Sequence, residues 1–163
     1  MNRRRLKFII AASVFTVAFP LFSQDISVSG SWELTIDESD MQSGMISDLN
    51  STYESPANQV SATISNSSYG WFGTWYWGVD VSRDNSQWNN NMHLDVRRSS
   101  GGFGFGSISG GTSYQEVTTS TQIFFTGVSF RLWIGFQYRL RGVSVAVPAG
   151  TYVTTVTYTV VEL

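Results

Sequence analysis

His93 is the one histidine of the chain, and Asp95 follows it two residues later in "NMHLDVR". An imidazole oriented by a carboxylate and set beside a serine is the equipment of nucleophilic catalysis. Serine is so abundant that composition alone satisfies the pattern, and alternation puts His93 on the wet side of a strand, between Met92 and Leu94. The reading that results is a surface histidine. Acids gather at Asp37, Glu38 and Asp40, and again at Asp80 and Asp84. A calcium loop needs several oxygen ligands at regular spacing, and neither group has it. Paired glycosidase carboxylates need a cleft to flank, for which the sequence gives no sign. Cysteine is absent, which removes thiolate nucleophiles, disulfides and thiolate metal sites together. The expectation is no enzyme, no metal and no cofactor.

The aromatic residues are the other chemical resource. "YGWFGTWYWG", residues 69–78, holds Tyr69, Trp71, Phe72, Trp75, Tyr76 and Trp77. Trp75 and Trp77 alternate with Val79 and Val81 and so belong to a core, while Tyr76 points outward. Tyr69, Trp71 and Phe72 precede that strand, broken by Gly70 and Gly73, and Trp88 sits in the next loop. Exposed rings beside polar groups stack on sugars or anchor a partner, which makes Tyr69, Trp71, Phe72 and Trp88 the candidate ligand-binding set. They could equally cap the open end of the fold. Trp133 projects from the wet face of an arginine-rich strand.

The elements that must position these residues are strands. In "DISVSGSWELTID", Ile26, Val28, Gly30, Trp32, Leu34 and Ile36 fall on one side and polar residues on the other. "SFRLWIGFQYRLRG" turns Phe130, Leu132, Ile134, Phe136, Tyr138 and Leu140 inward, with Arg131, Gln137, Arg139 and Arg141 outward. "QVSATIS", "TWYWGVDVS", "NMHLDVR" and "TYVTTVTYTVVEL" alternate likewise, and "EVTTSTQIFFTG" does so weakly, with Ile123 and Phe125 sharing a side. "SRDNSQWNNN" is a hairpin loop by its turn formers. Residues 37–58 do not alternate and suit a crossing loop or a short helical turn around Met45 to Leu49. The glycine- and serine-rich residues 99–113 lack the lysine and following helix of a phosphate cradle, and read as a mobile loop or weakened hairpin. Strands with one wet face each define an all-β, antiparallel sandwich of about seven or eight strands.

The N-terminus reads as a signal peptide over residues 1–24. Arg3, Arg4, Arg5 and Lys7 precede an apolar run from Phe8 to Phe22, with Pro20 near its end and cleavage expected between Phe22 and Asp25. A single domain over 25–163 remains, with no membrane span, destined for the periplasm, the cell surface or the medium. That part carries six arginines, no lysine and all twelve acids, a net charge of −6. Nucleic acid is therefore excluded as a partner, since phosphate binding needs an electropositive face.

The C-terminal "VPAGTYVTTVTYTVVEL", preceded by "YRLRGVSVAV", resembles the end of spore-coat-protein-U-like and pilin-like secreted bacterial proteins, with Pro148, Ala149, Gly150 and Tyr152 carrying the likeness. The resemblance implies an immunoglobulin-like sandwich and a coat-like or pilin-like role. For the chaperone–usher members it also implies a periplasmic chaperone and assembly by donation of a strand between subunits. "ISVSGSWELTI", with Ile26, Val28, Trp32, Leu34 and Ile36, suits such a donor. It suits the domain's own first strand as well. The expected function is thus an exported structural or surface protein that associates with itself through edge strands. The alternative is a soluble carbohydrate- or peptide-binding module, with a surface glycan as its partner.

Overall fold

The computed structural model describes residues 6–14, 24–37, 40, 49–69 and 72–163, and of residues 12–14 only the backbone. Among these the regular structure is β, with no α-helix. The strands are β1 Leu6–Val14, β2 Gln24–Ser29, β3 Ser31–Ile36, β4 Thr52–Glu54, β5 Val60–Asn66, β6 Tyr76–Arg83, β7 His93–Arg98, β8 Phe103–Gly104, β9 Ile108–Gly110, β10 Gln115–Glu116, β11 Gln122–Val128, β12 Arg131–Arg141 and β13 Gly150–Glu162. One sheet runs β3-β1-β13-β6-β11-β9 and the other β10-β7-β12-β5-β2, with β4 and β8 also on β12. Pairing is antiparallel throughout except between β1 and β13. No helix among the described residues is long and apolar enough to cross a membrane.

The strand count exceeds the expected seven or eight for identifiable reasons. "ISVSGSWELTI" reads as one alternating run, but Gly30 has φ +112° and breaks it in two. Any side chain there would set its Cβ 2.7 Å from the Gln59 carbonyl oxygen, so the chain passes from one sheet to the other on glycine alone. Strand β12 is too long for one partner on each side. Strands β5 and β4 share one flank of it, and β7 and β8 the other. The glycine-rich segment supplies both β8, on one sheet, and β9, on the other. Gly102, Gly104 and Gly106 recur every second residue, and a Cβ at each would strike the carbonyl oxygen of Leu132, Phe130 or Val128 respectively. That spacing lets the segment lie flat against the turn into β12.

One further expectation fails locally. Ile123 and Phe125 do not share a side: a bulge between them leaves Ile123 exposed and buries both Phe124 and Phe125. The extra residue turns two adjacent phenyl rings into the space between the sheets. The proposed helical turn falls on residues outside those described, apart from Leu49 at its end.

The two layers meet through aromatic side chains. Phe136 of β12 stacks on Tyr158 of β13 at 4.8 Å, and Phe124 and Phe125 of β11 pack on Phe136 at 5.6 and 5.8 Å. Trp77 is fully buried and donates its indole N–H to the Ser129 carbonyl at 2.7 Å. Tyr138 and Tyr158 bring their hydroxyls together at 2.9 Å across the layers, each fully buried. Burial pushes both phenols well above the ordinary tyrosine range, so both stay neutral and one hydroxyl donates to the other. Tyr138→Phe or Tyr158→Phe therefore strands one hydroxyl in the core and is expected to cost about 1–3 kcal/mol in urea denaturation. The double variant is expected to be more stable than the sum of the single losses, since it leaves no orphan; strictly additive losses would show that the pair is not coupled.

Candidate functional site

The N-terminal side of the molecule is built from segments that the sequence divides between leader and domain. Strand β1 lies between β3 and β13, with Leu6, Phe8 and Ile10 opposite Ile36, Leu34 and Trp32 on one flank. On the other flank they lie opposite Gly150, Tyr152 and Thr154. All three β1 side chains are buried, which at about 1.5–3 kcal/mol each is a substantial share of a domain's stability. Phe8 stacks on Tyr152 at 5.7 Å and meets Trp88 edge-on at 6.4 Å. Lys7, on the outer face, lies 3.8 Å from Glu33. Among the described residues β1 is the only strand paired with β3.

Residues 24–36 form the border of both layers. Strand β2 is the edge of one sheet, paired with β5 through Ile26↔Ile64 and Val28↔Ala62. Strand β3 is the edge of the other. Ile26, Trp32 and Ile36 are buried, while Val28 and Leu34 are half-buried against the core. The start of β3 is pinned: the Gln59 amide donates to the Ser31 carbonyl at 2.6 Å, and Trp32 stacks on Tyr138 at 6.4 Å. An edge strand keeps one row of N–H and C=O groups unpaired, which is what a further strand would bind.

Among the described residues of the predicted aromatic set, Trp88 lies apart from Tyr69 and Phe72. Phe72 and Tyr69 are exposed, and Trp71 lies outside the described residues. Trp88 is buried at the far end of β6, its indole N–H donating to the Met92 carbonyl at 2.9 Å and its ring under the Arg83 guanidinium at 5.2 Å. What accompanies Phe72 is Phe105, at 5.4 Å, which in turn contacts Phe130 at 5.6 Å. Phe103 and Trp133 are also exposed. Trp133 has φ +56°, a left-handed backbone that costs a non-glycine residue about 1–3 kcal/mol. It sits where β12 bulges between Arg131 and Ile134, and the extra residue turns the indole outward. Phe103 and Phe105 escaped the sequence reading because the glycines around them marked a loop. Their period of two was the available signal.

His93 and the acids do converge, though not as the sequence paired them. His93 Nδ1 lies 2.7 Å from Glu116 Oε1 on β10. Asp95 instead turns to its cross-strand neighbours: Arg139 Nε donates to Oδ2 at 2.8 Å, and Arg141 donates to Oδ2 at 2.6 Å and Oδ1 at 2.9 Å. Arg141 also reaches Glu116 at 3.3 Å, and Arg97 and Arg139 cover the Tyr114 ring at 4.8 and 4.0 Å. These contacts fasten β10 across the outer face of its sheet. Both Asp95 oxygens are occupied by guanidinium groups, so the carboxylate is committed to structure. Trp133 and the His93 cluster stand near opposite ends of β12, since Arg141 pairs with His93. Among the described residues no group of three or more histidine and acidic side chains could hold a metal ion.

The chain matches no model of a known protein family, and no curated protein sequence matches it.

Burial by itself pushes the Asp95 carboxyl up, but the hydrogen bonds and charges of Arg141 and Arg139 outweigh it and hold the group below the usual carboxylate range. A depressed pKa in the folded state means stability that is present above the unfolded value, about 4, and lost as pH falls through the folded one. Asp95→Asn is expected to cost about 3 kcal/mol at neutral pH, because two guanidinium groups lose their buried counter-charge. Urea midpoints from pH 7 to pH 2 should show the wild-type advantage shrinking in acid. An advantage that stays constant over that range would contradict the assignment.

Proposed function

We propose that this is an exported, non-enzymatic structural or surface protein, an immunoglobulin-like sandwich of the coat-like or pilin-like kind, whose copies associate through edge strands. Its setting is the periplasm, the cell surface or the medium, reached through removal of residues 1–24. The observation that carries the reading is that one continuous segment, residues 24–36, forms the edge of both sheets. Such a segment meets the rest of each sheet through one strand only, and its apolar residues alternate as a donated strand requires. Only Gly30 separates its two halves, so one short segment serves both sheets. A negative mature chain without cysteine relies on backbone pairing, not on cross-links, to join copies.

A second reading has its own support. The outward Trp133, held in costly backbone geometry, and the exposed rings of Phe103, Phe105 and Phe72 are the kind of side chains a carbohydrate- or peptide-binding module presents. The two readings separate in one experiment. Light scattering on size-fractionated mature protein, residues 25–163, is expected to give masses of two or more copies that rise with concentration. Excess synthetic peptide of residues 24–36 should drive the mass back toward one copy. A monomer at every concentration would overturn the structural reading and leave the aromatic end as the functional surface.

A further inference from the structure

We infer that Arg98 and Arg131 form a seat for one carboxylate at the glycine-rich end of the sandwich, and that the ligand carrying it is an acidic sugar. The inference rests on the second reading above, the binding module, and names its ligand. It does not depend on self-association.

The seat comes from strand register. Arg98, the last residue of β7, lies opposite Phe136, and Arg131, the first of β12, lies opposite Ile64. Phe136 and Ile64 are fully buried, and residues directly opposite share a face. Both arginines therefore leave the sheet on the side that looks into the sandwich. The bulge between Arg131 and Ile134 is what turns Arg131 from the outward place that alternation gives it. The glycine-rich segment meets them there. Arg98 Nε donates to the Gly110 carbonyl at 3.0 Å, and the Arg131 guanidinium donates to the Gly106 carbonyl. Gly106 and Gly110 have φ +76° and +82°, a backbone that glycine adopts at no steric cost.

Neither guanidinium has a counter-charge among the described residues. Asp95 and Glu116 pair with Arg139 and Arg141, and no carboxylate pairs with Arg98 or Arg131. Acids are not scarce, since twelve stand against six arginines in residues 25–163. Burial pushes the Arg98 guanidinium below the ordinary arginine range, and the positive charge of Arg131 pushes it the same way. Arg131 Nε is buried without a hydrogen-bond partner. Like charges held close, with donors left over, are stabilised by an anion supplied from outside the chain. A carboxylate fits the planar guanidinium fork with its two oxygens. Gly101 leaves one approach open: a Cβ there would stand 3.4 Å from Arg98 Nη1, and glycine keeps that nitrogen uncovered.

The surroundings select among carboxylates. Phe103 and Phe105, both exposed, flank Gly104, the residue opposite Arg131, and exposed Trp133 follows Arg131 by two positions. Exposed rings suit a ligand body with an apolar face, which a pyranose presents along its C–H groups. The net charge of −6 (six arginines, twelve acids) repels a dense polyanion and tolerates one carboxylate on a neutral body. A sugar acid combines that single charge with that flat face, whereas an acidic peptide supplies the charge alone.

The test is isothermal titration calorimetry on the full chain, residues 1–163, with three probes. These are a trisaccharide ending in one glucuronic acid, its methyl ester, and an end-blocked peptide of similar size with one glutamate. The acid is expected to bind at least about tenfold more tightly than the ester or the peptide, and Arg98→Gln to lose that margin. The side-chain Nε–H signals of Arg98 and Arg131 in nitrogen–proton NMR spectra should shift as the acid is added, while those of Arg139 and Arg141 stay. If acid and ester bind equally, the seat is overturned while the binding-module reading stands. If none of the three probes binds, the inference falls and that reading loses its support with it. A peptide that binds as tightly as the acid overturns the assignment to a sugar. Should Arg98→Gln fail to fold, the ester comparison and the NMR shifts on the unsubstituted chain still decide, and shifts at Arg139 and Arg141 instead would overturn the site.

Discussion

The structure depends on both flanks of β13 being hydrogen-bonded. This strand of thirteen residues carries Val156 and Tyr158 into the core and is the hinge of its sheet. Along residues 156–162 it pairs with β6, and along residues 150–158 with β1. A flank left open would make β13 an edge, with a row of unpaired N–H and C=O groups. In the structure the strand on that flank is β1. While β1 is present, the sheet is complete within one copy. Without β1, that flank becomes an edge of the sheet.

The other ties are local and independent of that flank. Aromatic rings from β11, β12 and β13 join the layers, and the Tyr138–Tyr158 hydroxyl pair spans them without an unpaired polar atom between the two. The Asp95, Arg139 and Arg141 cluster fastens the opposite face. These contacts join the two layers without a disulfide.

Much of this was legible in the sequence, because burial on one face imposes a period of two. The strands around Ile64, Val79, Leu94, Phe136 and Tyr158 all follow from alternation, as does the inward placement of Trp75 and Trp77. The misreadings have physical causes. The bulge at Ile123 shifts the phase by one residue, which a fixed period cannot register. Gly30 sits in phase on the apolar face, so alternation runs straight through a point where the chain changes sheets. Glu116 meets His93 across 23 positions of sequence, a partnership set by strand pairing and invisible to local spacing. Trp88 looks like a loop residue by its polar neighbours, yet it is drawn inward because Phe8, Met92 and Arg83 surround it. Residues 6–14 read as leader by charge and hydropathy, and the same Leu6, Phe8 and Ile10 alternate well enough to serve as a strand.

The central claim is that residues 6–14 complete the sheet at β13, and amide hydrogen exchange read residue by residue along β13 tests it most directly. In the full chain, the amides of residues 150–158 that face β1 should be as protected as those facing β6. In a dilute chain of residues 25–163, the amides on the β1 flank are expected to exchange at least about tenfold faster, while the β6 flank keeps its protection. Equal protection of the β1 flank in both forms at high dilution would contradict the account, because it would mean that the sheet closes on itself without β1.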